Sequence, residues 1–338
     1  MYQGNSHRYE QMTYNRAGYS GLKLSALGLG LWHNFGSVDP FEKQKKLIHQ
    51  AFDLGITYYD LANNYGPIPG SAEENFGKIM QDDMRGHRYE MVIATKAGYE
   101  MWPGPYGNWA SRKSIIASAD QSLRRLQLDY VDIFYSHRPD PHTPAEETAL
   151  ALNQLVLEGK ALYIGISNYS GSQTARMVRI FQELKTPFIV NQVRYNMFNR
   201  DVEQGLFPVL KREKKAAVAF SPLSQGLLTD KYLNGIPADS RAKKTTSPFL
   251  HPTQVEQTLV TVRQLNEVAK KRGQTLAEMA LAWNLRQNAV ASVIVGASRP
   301  EQLVDNCQAL ENLEFSTSEL SLIDKILAEQ ADIAWKAK

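Results

Sequence analysis

A (β/α)8 TIM barrel, with an N-terminal β-hairpin and long loops at the C-terminal ends of its strands, is the fold that the sequence predicts. Three observations carry it. Short, near-continuous apolar runs recur eight times, the pattern of strands buried on both faces of a parallel sheet. Amphipathic stretches of helical period separate them. Successive runs stop on polar or titratable residues, and a barrel assembles its active site at those strand ends. A doubly wound sheet competes, but it wants a glycine-rich turn between its first strand and a helix. Gly28-Leu29-Gly30-Leu31 runs instead into Trp32 and His33 without a third glycine, and reads as a tight strand.

In chain order, residues 12–16 and 22–25 flank the turn-forming Ala17-Gly18-Tyr19-Ser20-Gly21 and predict a hairpin over about 12–25. Strands are expected at 27–31, 56–60, 91–96, 131–137, 161–167, 188–193, 216–221 and 291–296. Helices are expected at 41–54, 114–126, 144–158, 171–184, 202–213, 256–272, 276–288 and 300–309, with a last helical segment over about 318–338. All of 1–338 is read as a single barrel domain. Two loops, 98–112 and 225–255, are too long to be mere connectors, and both follow strands, on the mouth side. The first carries Trp102, Tyr106 and Trp109; the second carries Lys231, Arg241, Lys243 and Lys244. Aromatic and basic loops in that position predict ligand contact; partial disorder or a subunit contact is the other reading.

Composition narrows the function. At 43% hydrophobic and 22% charged, 338 residues suffice for a large core. The net charge of +3 comes without a Lys/Arg block, which argues against a nucleic-acid binder. A lone cysteine, Cys307, excludes an internal disulfide and a cysteine-based zinc site, and fits a reducing, cytoplasmic setting. Residues 1–16 lack an apolar signal-peptide core, and no apolar run approaches a membrane span, so neither secretion nor membrane insertion is expected.

The chemistry concentrates in four side chains. Asp60, Lys96 and His137 end the second, third and fourth strands, and Tyr65 follows Asp60 within one short loop. A tyrosine is a weak acid, and a neighbouring ammonium favours its phenolate. Lys96 is therefore expected to lower the pKa of Tyr65, with Asp60 holding Lys96 charged and in place. Tyr65 would then protonate a carbonyl oxygen as a hydride reaches the carbon, and His137 would orient the carbonyl. Each residue alone has an ordinary role, as a cap, a packed tyrosine, a solvated strand end or a core histidine. Their joint occurrence at consecutive strand ends favours the chemistry. Separately, Ser298-Arg299-Pro300-Glu301 reads as a helix start, with Ser298 as N-cap and Glu301 at N3. Helix N-termini bind phosphate, and Arg299 would add a charge-assisted contact.

At these residues the chain resembles the aldo-keto reductase family. Asp60-Leu61-Ala62-Asn63-Asn64-Tyr65-Gly66 and Ser71-Ala72-Glu73-Glu74-Asn75-Phe76-Gly77 are similar to its first signature. Lys96 and His137 complete a catalytic tetrad with Asp60 and Tyr65. Matches continue through Gly165-Ile166-Ser167-Asn168, Gln192-Val193-Arg194-Tyr195-Asn196, Phe220-Ser221-Pro222-Leu223, Gly226 and the segment from Gly296 to Gln302. The resemblance implies NADPH/NADP+ as cofactor and a small aldehyde as substrate, glyceraldehyde 3-phosphate and methylglyoxal among them. It assigns Ser167, Asn168 and Gln192 to the carboxamide and Phe220 to the nicotinamide face. It assigns Ser221, Pro222, Leu223, Gly226, Lys231, Arg241 and Gly296 to the cofactor belt, Ser298 and Arg299 to the 2′-phosphate, and Gln302 and Asn306 to the adenine. It places Trp32 beside both cofactor and substrate, in a pocket with Tyr65, Trp102, Trp109 and His137.

Arg138-Pro139-Asp140-Pro141, Asn196-Met197-Phe198, Gly235-Ile236-Pro237 and Ser240-Arg241-Ala242 resemble the branch of voltage-gated potassium channel β-subunits, which implies a four-fold homo-tetramer, alone or paired into an octamer. That branch also permits a regulatory or scaffolding subunit that binds NADP(H) and turns over weakly. A metal-assisted lyase on the same fold lacks a His/carboxylate ligand cluster, so no metal is expected. Arg194 departs from the glutamate of many members; it would favour an anionic substrate or pair with an acid.

Overall fold

The computed structural model describes residues 2–237, 240–243 and 250–328. Two short strands, β1 (Tyr14–Arg16) and β2 (Lys23–Ser25), pair antiparallel as a hairpin. Eight parallel strands follow: β3 (Leu27–Gly30), β4 (Tyr58–Asp60), β5 (Val92–Ala97), β6 (Val131–Ser136), β7 (Ala161–Ser167), β8 (Phe188–Arg194), β9 (Ala216–Phe220) and β10 (Val290–Val295). They close into a barrel in sequence order, with β10 returning to pair with β3 through Val293↔Leu27 and Val295↔Leu29. The predicted fold class and all eight barrel strands are thus present.

Helices cover the outside: α1 (Phe41–Asp53), α2 (Ser71–Ile79), α3 (Arg112–Leu126), α4 (Ala145–Leu157), α5 (Gly171–Glu183), α6 (Asp201–Gly205), α7 (Phe207–Arg212), α8 (Pro252–Lys271), α9 (Leu276–Leu285), α10 (Pro300–Cys307) and α11 (Thr317–Ala328). Their starts follow local chemistry. Ser170 and Thr275 form capping boxes with Gln173 and Glu278 at the heads of α5 and α9. The single helix expected over 202–213 is broken into α6 and α7, with Pro208 early in the second, where it needs no amide donor. The α2 helix was not anticipated as a helix. Residues 329–338 of the last expected segment, and 238–239 and 244–249 of the second long loop, lie outside the described residues, as does the Arg241 side chain.

Alternation within the strands sorts side chains between two cores. Tyr58, Val92, Ala94, Ile133, Tyr135, Val190, Val218 and Ile294 fill the barrel interior, while Tyr59, Ile93, Phe134, Ile164, Val193 and Val293 belong to the layer shared with the helices. The hairpin closes the N-terminal end of the barrel. Leu24 and Ala17 join the interior cluster, and the Ser25 hydroxyl accepts from the Thr57 and Tyr58 amides at 3.2 Å each. Ser292 Oγ donates to the Ser25 carbonyl at 2.8 Å, which ties β10 to the same plug. With that end filled, only the C-terminal end is left to open as a mouth.

Candidate active site

Every second residue of a strand faces the interior, so the last inward positions of the strands form one layer under the mouth. Asp60 follows Tyr58 on β4, Lys96 follows Ala94 on β5, His137 follows Tyr135 just past β6, and Gln192 follows Val190 on β8. The structure brings these together. Lys96 Nζ is fully buried and donates to Asp60 Oδ2 at 2.7 Å, to the Leu61 carbonyl at 2.6 Å and to the Tyr65 hydroxyl at 3.3 Å. The Tyr65 ring meets His137 edge-on at 5.8 Å and Trp32 at 6.1 Å between centroids. Trp32 is 36% exposed, at the rim.

Asp60 is held by Gln192 and by two tyrosines, Tyr58 and Tyr135, that the sequence reading passed over. Its Oδ1 accepts from Gln192 Nε2 at 2.7 Å and from the Tyr58 hydroxyl at 3.2 Å, and the Tyr58 and Tyr135 hydroxyls lie 2.9 Å apart. Two glycines make room for those rings. A Cβ at Gly28 would stand 2.6 Å from Tyr58, and one at Gly165 would stand 2.3 Å from Tyr135. Tyr58 and Tyr135 lie two positions before Asp60 and His137, and that spacing was the available signal. On the outer side, buried Glu73 accepts from Thr95 Oγ1 and, at 2.7 Å, from Arg125 Nε, fixing the strand that carries Lys96.

Electrostatics correct one expectation. Burial, reinforced by Asp60 and Tyr99, pushes the Tyr65 phenol well above the ordinary tyrosine value rather than below it. Desolvation outweighs the ammonium, so Tyr65 stays protonated at neutral pH. Burial also draws Lys96 below the ordinary lysine value, opposed by Asp60. For His137, burial first and then Lys96 and Arg138 hold the imidazole well below the usual range, so it is neutral at pH 7; its buried Nδ1 has no hydrogen-bond partner.

A stability prediction follows for His137. Its folded pKa lies below its unfolded one, so below about pH 6.5 the unfolded chain binds a proton that the native state refuses. Stability should fall as pH drops, with a contribution of up to about 1.4 kcal/mol per pH unit from this residue. Urea titrations of His137→Asn between pH 7 and 5 should show a shallower fall than the parent; an unchanged slope would contradict the assignment.

The remaining sequence-predicted residues fall in two groups. Ser167 is buried at the end of β7, and Asn168, at φ 62°, donates from Nδ2 to the His137 carbonyl and to Ser167 Oγ, both at 3.1 Å. Phe220 is half-buried at the end of β9. After it the chain takes left-handed conformations at Ser221, Ser224, Gln225 and Gly226, with Pro222 buried and Leu223 half-buried beside them. Gly296 has open space where a Cβ would point, and Lys231 and Arg299 are exposed.

The helix start differs from expectation. Arg299, extended because Pro300 follows it, occupies the cap of α10, and Pro300 is the first helical residue. Ser298 is thus not the N-cap; its amide and hydroxyl donate to Gln302 Oε1 at 2.8 and 3.1 Å. Asn306 is buried on the same helix.

Of the first long loop, Trp109 stacks on Arg138 at 3.6 Å, and Tyr99 takes the same guanidinium at 4.3 Å while meeting His137 edge-on at 4.6 Å. Trp102 packs back on its own loop, where any side chain at Gly107 would strike it. Among the described residues no group of His, Cys, Asp and Glu could hold a metal ion, and no helix is long and apolar enough to cross a membrane.

The profile of the Aldo/keto reductase family matches residues 26–328, from the first barrel strand to the last helix. The chain belongs to the aldo/keto reductase family. It is therefore an NAD(P)-dependent oxidoreductase. The L-glyceraldehyde 3-phosphate reductase of Escherichia coli (strain K12) is 54% identical over 337 residues, covering 98% of this chain and 97% of the relative. A probable voltage-gated potassium channel subunit beta of Oryza sativa subsp. japonica is 37% identical over 323 residues, covering 94% and 96%. One of the same description from Arabidopsis thaliana is 36% identical over 321 residues, covering 93% and 95%.

Proposed function

We propose that this aldo/keto reductase reduces small aldehydes to alcohols with NADPH, glyceraldehyde 3-phosphate and methylglyoxal being the leading candidates. The observation that carries it is the unbroken chain of hydrogen bonds from Tyr65 through Lys96 to Asp60, beside a neutral His137. The donor set fits a nicotinamide cofactor. Ser167, Asn168 and Gln192 offer an amide group both donors and acceptors, and half-buried Phe220 offers its ring face. When bound, the nicotinamide supplies a hydride to the carbonyl carbon.

The protein does the rest. Tyr65, kept protonated by burial, gives its proton to the carbonyl oxygen. The electron pair left on the phenolate is stabilised by the Lys96 ammonium, 3.3 Å away. Asp60, fixed by Tyr58 and Gln192, holds that ammonium charged and aimed. His137, uncharged, donates to the same oxygen without adding a second cation. General acid catalysis of this kind contributes roughly 10²–10⁴-fold. Loss of NADPH absorbance in the presence of short aldehydes tests the reading; no aldehyde-dependent turnover would leave an NADP(H)-binding scaffold in its place.

NADPH should bind more tightly than NADH. Arg299 is exposed at the head of α10 and has no partner among the described residues, so it is free for a 2′-phosphate. Arg299→Ala should cost on the order of 1.5–3 kcal/mol of NADPH affinity and little of NADH affinity. Equal dissociation constants for the two cofactors in the parent protein would refute this. The resemblance to channel β-subunits extends the proposal to a homo-tetramer in a reducing, cytoplasmic setting. A monomer at micromolar concentration by light scattering would overturn the assembly.

A further inference from the structure

We propose that Arg194 is the phosphate anchor of the substrate pocket, so that the site takes phosphorylated short-chain aldehydes in preference to neutral ones. This rests on the reductase reading and names the substrate class of that same site.

The placement follows from alternation on β8. Val190 packs in the barrel interior, and Gln192 reaches inward to Asp60. The intervening Asn191 points the other way, with its Nδ2 on the Tyr169 carbonyl and on Thr174 of α5, and Val193 packs in the outer layer. Arg194 therefore shares the inward face. It stands about 6–7 Å further toward the mouth than Gln192, two strand residues on. Tyr65, Lys96, Asp60 and Gln192 are joined by consecutive hydrogen bonds, so the reacting oxygen binds in that layer. The far end of a three-carbon substrate extends from there toward the layer of Arg194.

The charge of Arg194 is unspent. The side chain is half-buried and has no hydrogen bond, ion pair or ring contact among the described residues. Its strand neighbours supply no acid: Phe220 of β9 pairs with it, and β7 ends on Ser167, followed by Asn168. The other cations near the centre are committed. Lys96 donates to Asp60, Tyr65 and the Leu61 carbonyl, and Arg138 is stacked between Tyr99 and Trp109 while donating to Gly98 and Asn108. A partly desolvated guanidinium is costly without an anion, and its planar fork matches phosphate oxygens in two parallel hydrogen bonds. Among the described residues none supplies that anion, and a phosphorylated substrate would.

The test compares two substrates with one carbon skeleton, glyceraldehyde 3-phosphate and glyceraldehyde, under saturating NADPH. The parent should prefer the phosphorylated aldehyde in kcat/KM. Arg194→Gln should lower kcat/KM for glyceraldehyde 3-phosphate by about 10- to 100-fold, mostly through KM. It should leave glyceraldehyde turnover and the NADPH dissociation constant unchanged, and Arg194→Lys should restore part of the loss. An equal fall for both aldehydes, or a weakened grip on NADPH, would show that Arg194 serves the barrel or the cofactor and would overturn the proposal. A parent that reduces glyceraldehyde without favouring its phosphate sinks this inference alone. A parent that reduces neither sinks the reductase reading, and this one with it.

Discussion

Replacing Tyr65 by phenylalanine is expected to slow aldehyde reduction by roughly two to four orders of magnitude while the barrel folds and NADPH binds as before. The substitution removes one hydroxyl and almost no volume. That hydroxyl has one described partner, Lys96 Nζ at 3.3 Å, which keeps its two shorter bonds to Asp60 and Leu61. Little stability is therefore at stake, and the lost rate reports the proton transfer. The raised phenol pKa sharpens the expectation, because the donor is fully protonated across the neutral range and no pre-formed phenolate contributes. Lys96→Met should also be slow, and the double variant should be no slower than the worse single one, since both residues serve one transfer. Near-normal turnover in Tyr65→Phe with normal cofactor affinity would place the chemistry elsewhere.

The second large effect is on stability. Asp60→Asn is expected to destabilise the fold by about 3–5 kcal/mol at pH 7, because Lys96 loses the one carboxylate it touches while remaining fully buried. The pH dependence identifies the cause. Burial already lowers the Lys96 pKa, and without Asp60 it falls further. Between that value and the unfolded lysine value of about 10.4, the native state has released a proton that the unfolded chain still holds, so stability rises with pH. Denaturant midpoints of Asp60→Asn should therefore approach the parent's at alkaline pH. Adding Lys96→Met should recover much of the loss at pH 7, since removing both charges is far less costly than stranding one. A variant as stable as the parent at pH 7 would mean that Lys96 carries no charge in the native state.

Much of this site was legible in the sequence, and the limits have physical reasons. The barrel strands and the positions of Asp60, Lys96 and His137 could be read because a strand buried on both faces is an uninterrupted apolar run, and a polar residue ending it is conspicuous. The support for Asp60 was not legible as such. Tyr58 and Tyr135 count as apolar within those runs, and only their hydroxyls, brought together across the barrel, make them part of the site. Gly28 and Gly165 gave the complementary signal as missing volume, which has meaning only once the facing rings are known. The direction of the Tyr65 shift was misread because sequence proximity reveals a partner charge but not the extent of burial. The cap of α10 was displaced by one residue because Pro300 forces an extended residue ahead of itself, a local rule that outweighed the cap preference of Ser298.

The closure of β10 onto β3 sets the order in which this molecule can be made. Val293, 266 positions after Leu27, is the residue that pairs with it. At roughly 5–20 residues per second, β3 waits on the order of 13–53 s for that partner to be synthesised. During that interval β9 lacks its outer neighbour as well, since β10 pairs with both. The last strand therefore seals two open sheet edges in one event. A nascent chain that stalls between β9 and β10 presents a nearly complete sheet with two unpaired, apolar borders, the arrangement most prone to joining its own kind. For this protein, the hazard of aggregation is concentrated late in translation, after Asp60, Tyr65, Lys96 and His137 have all been made.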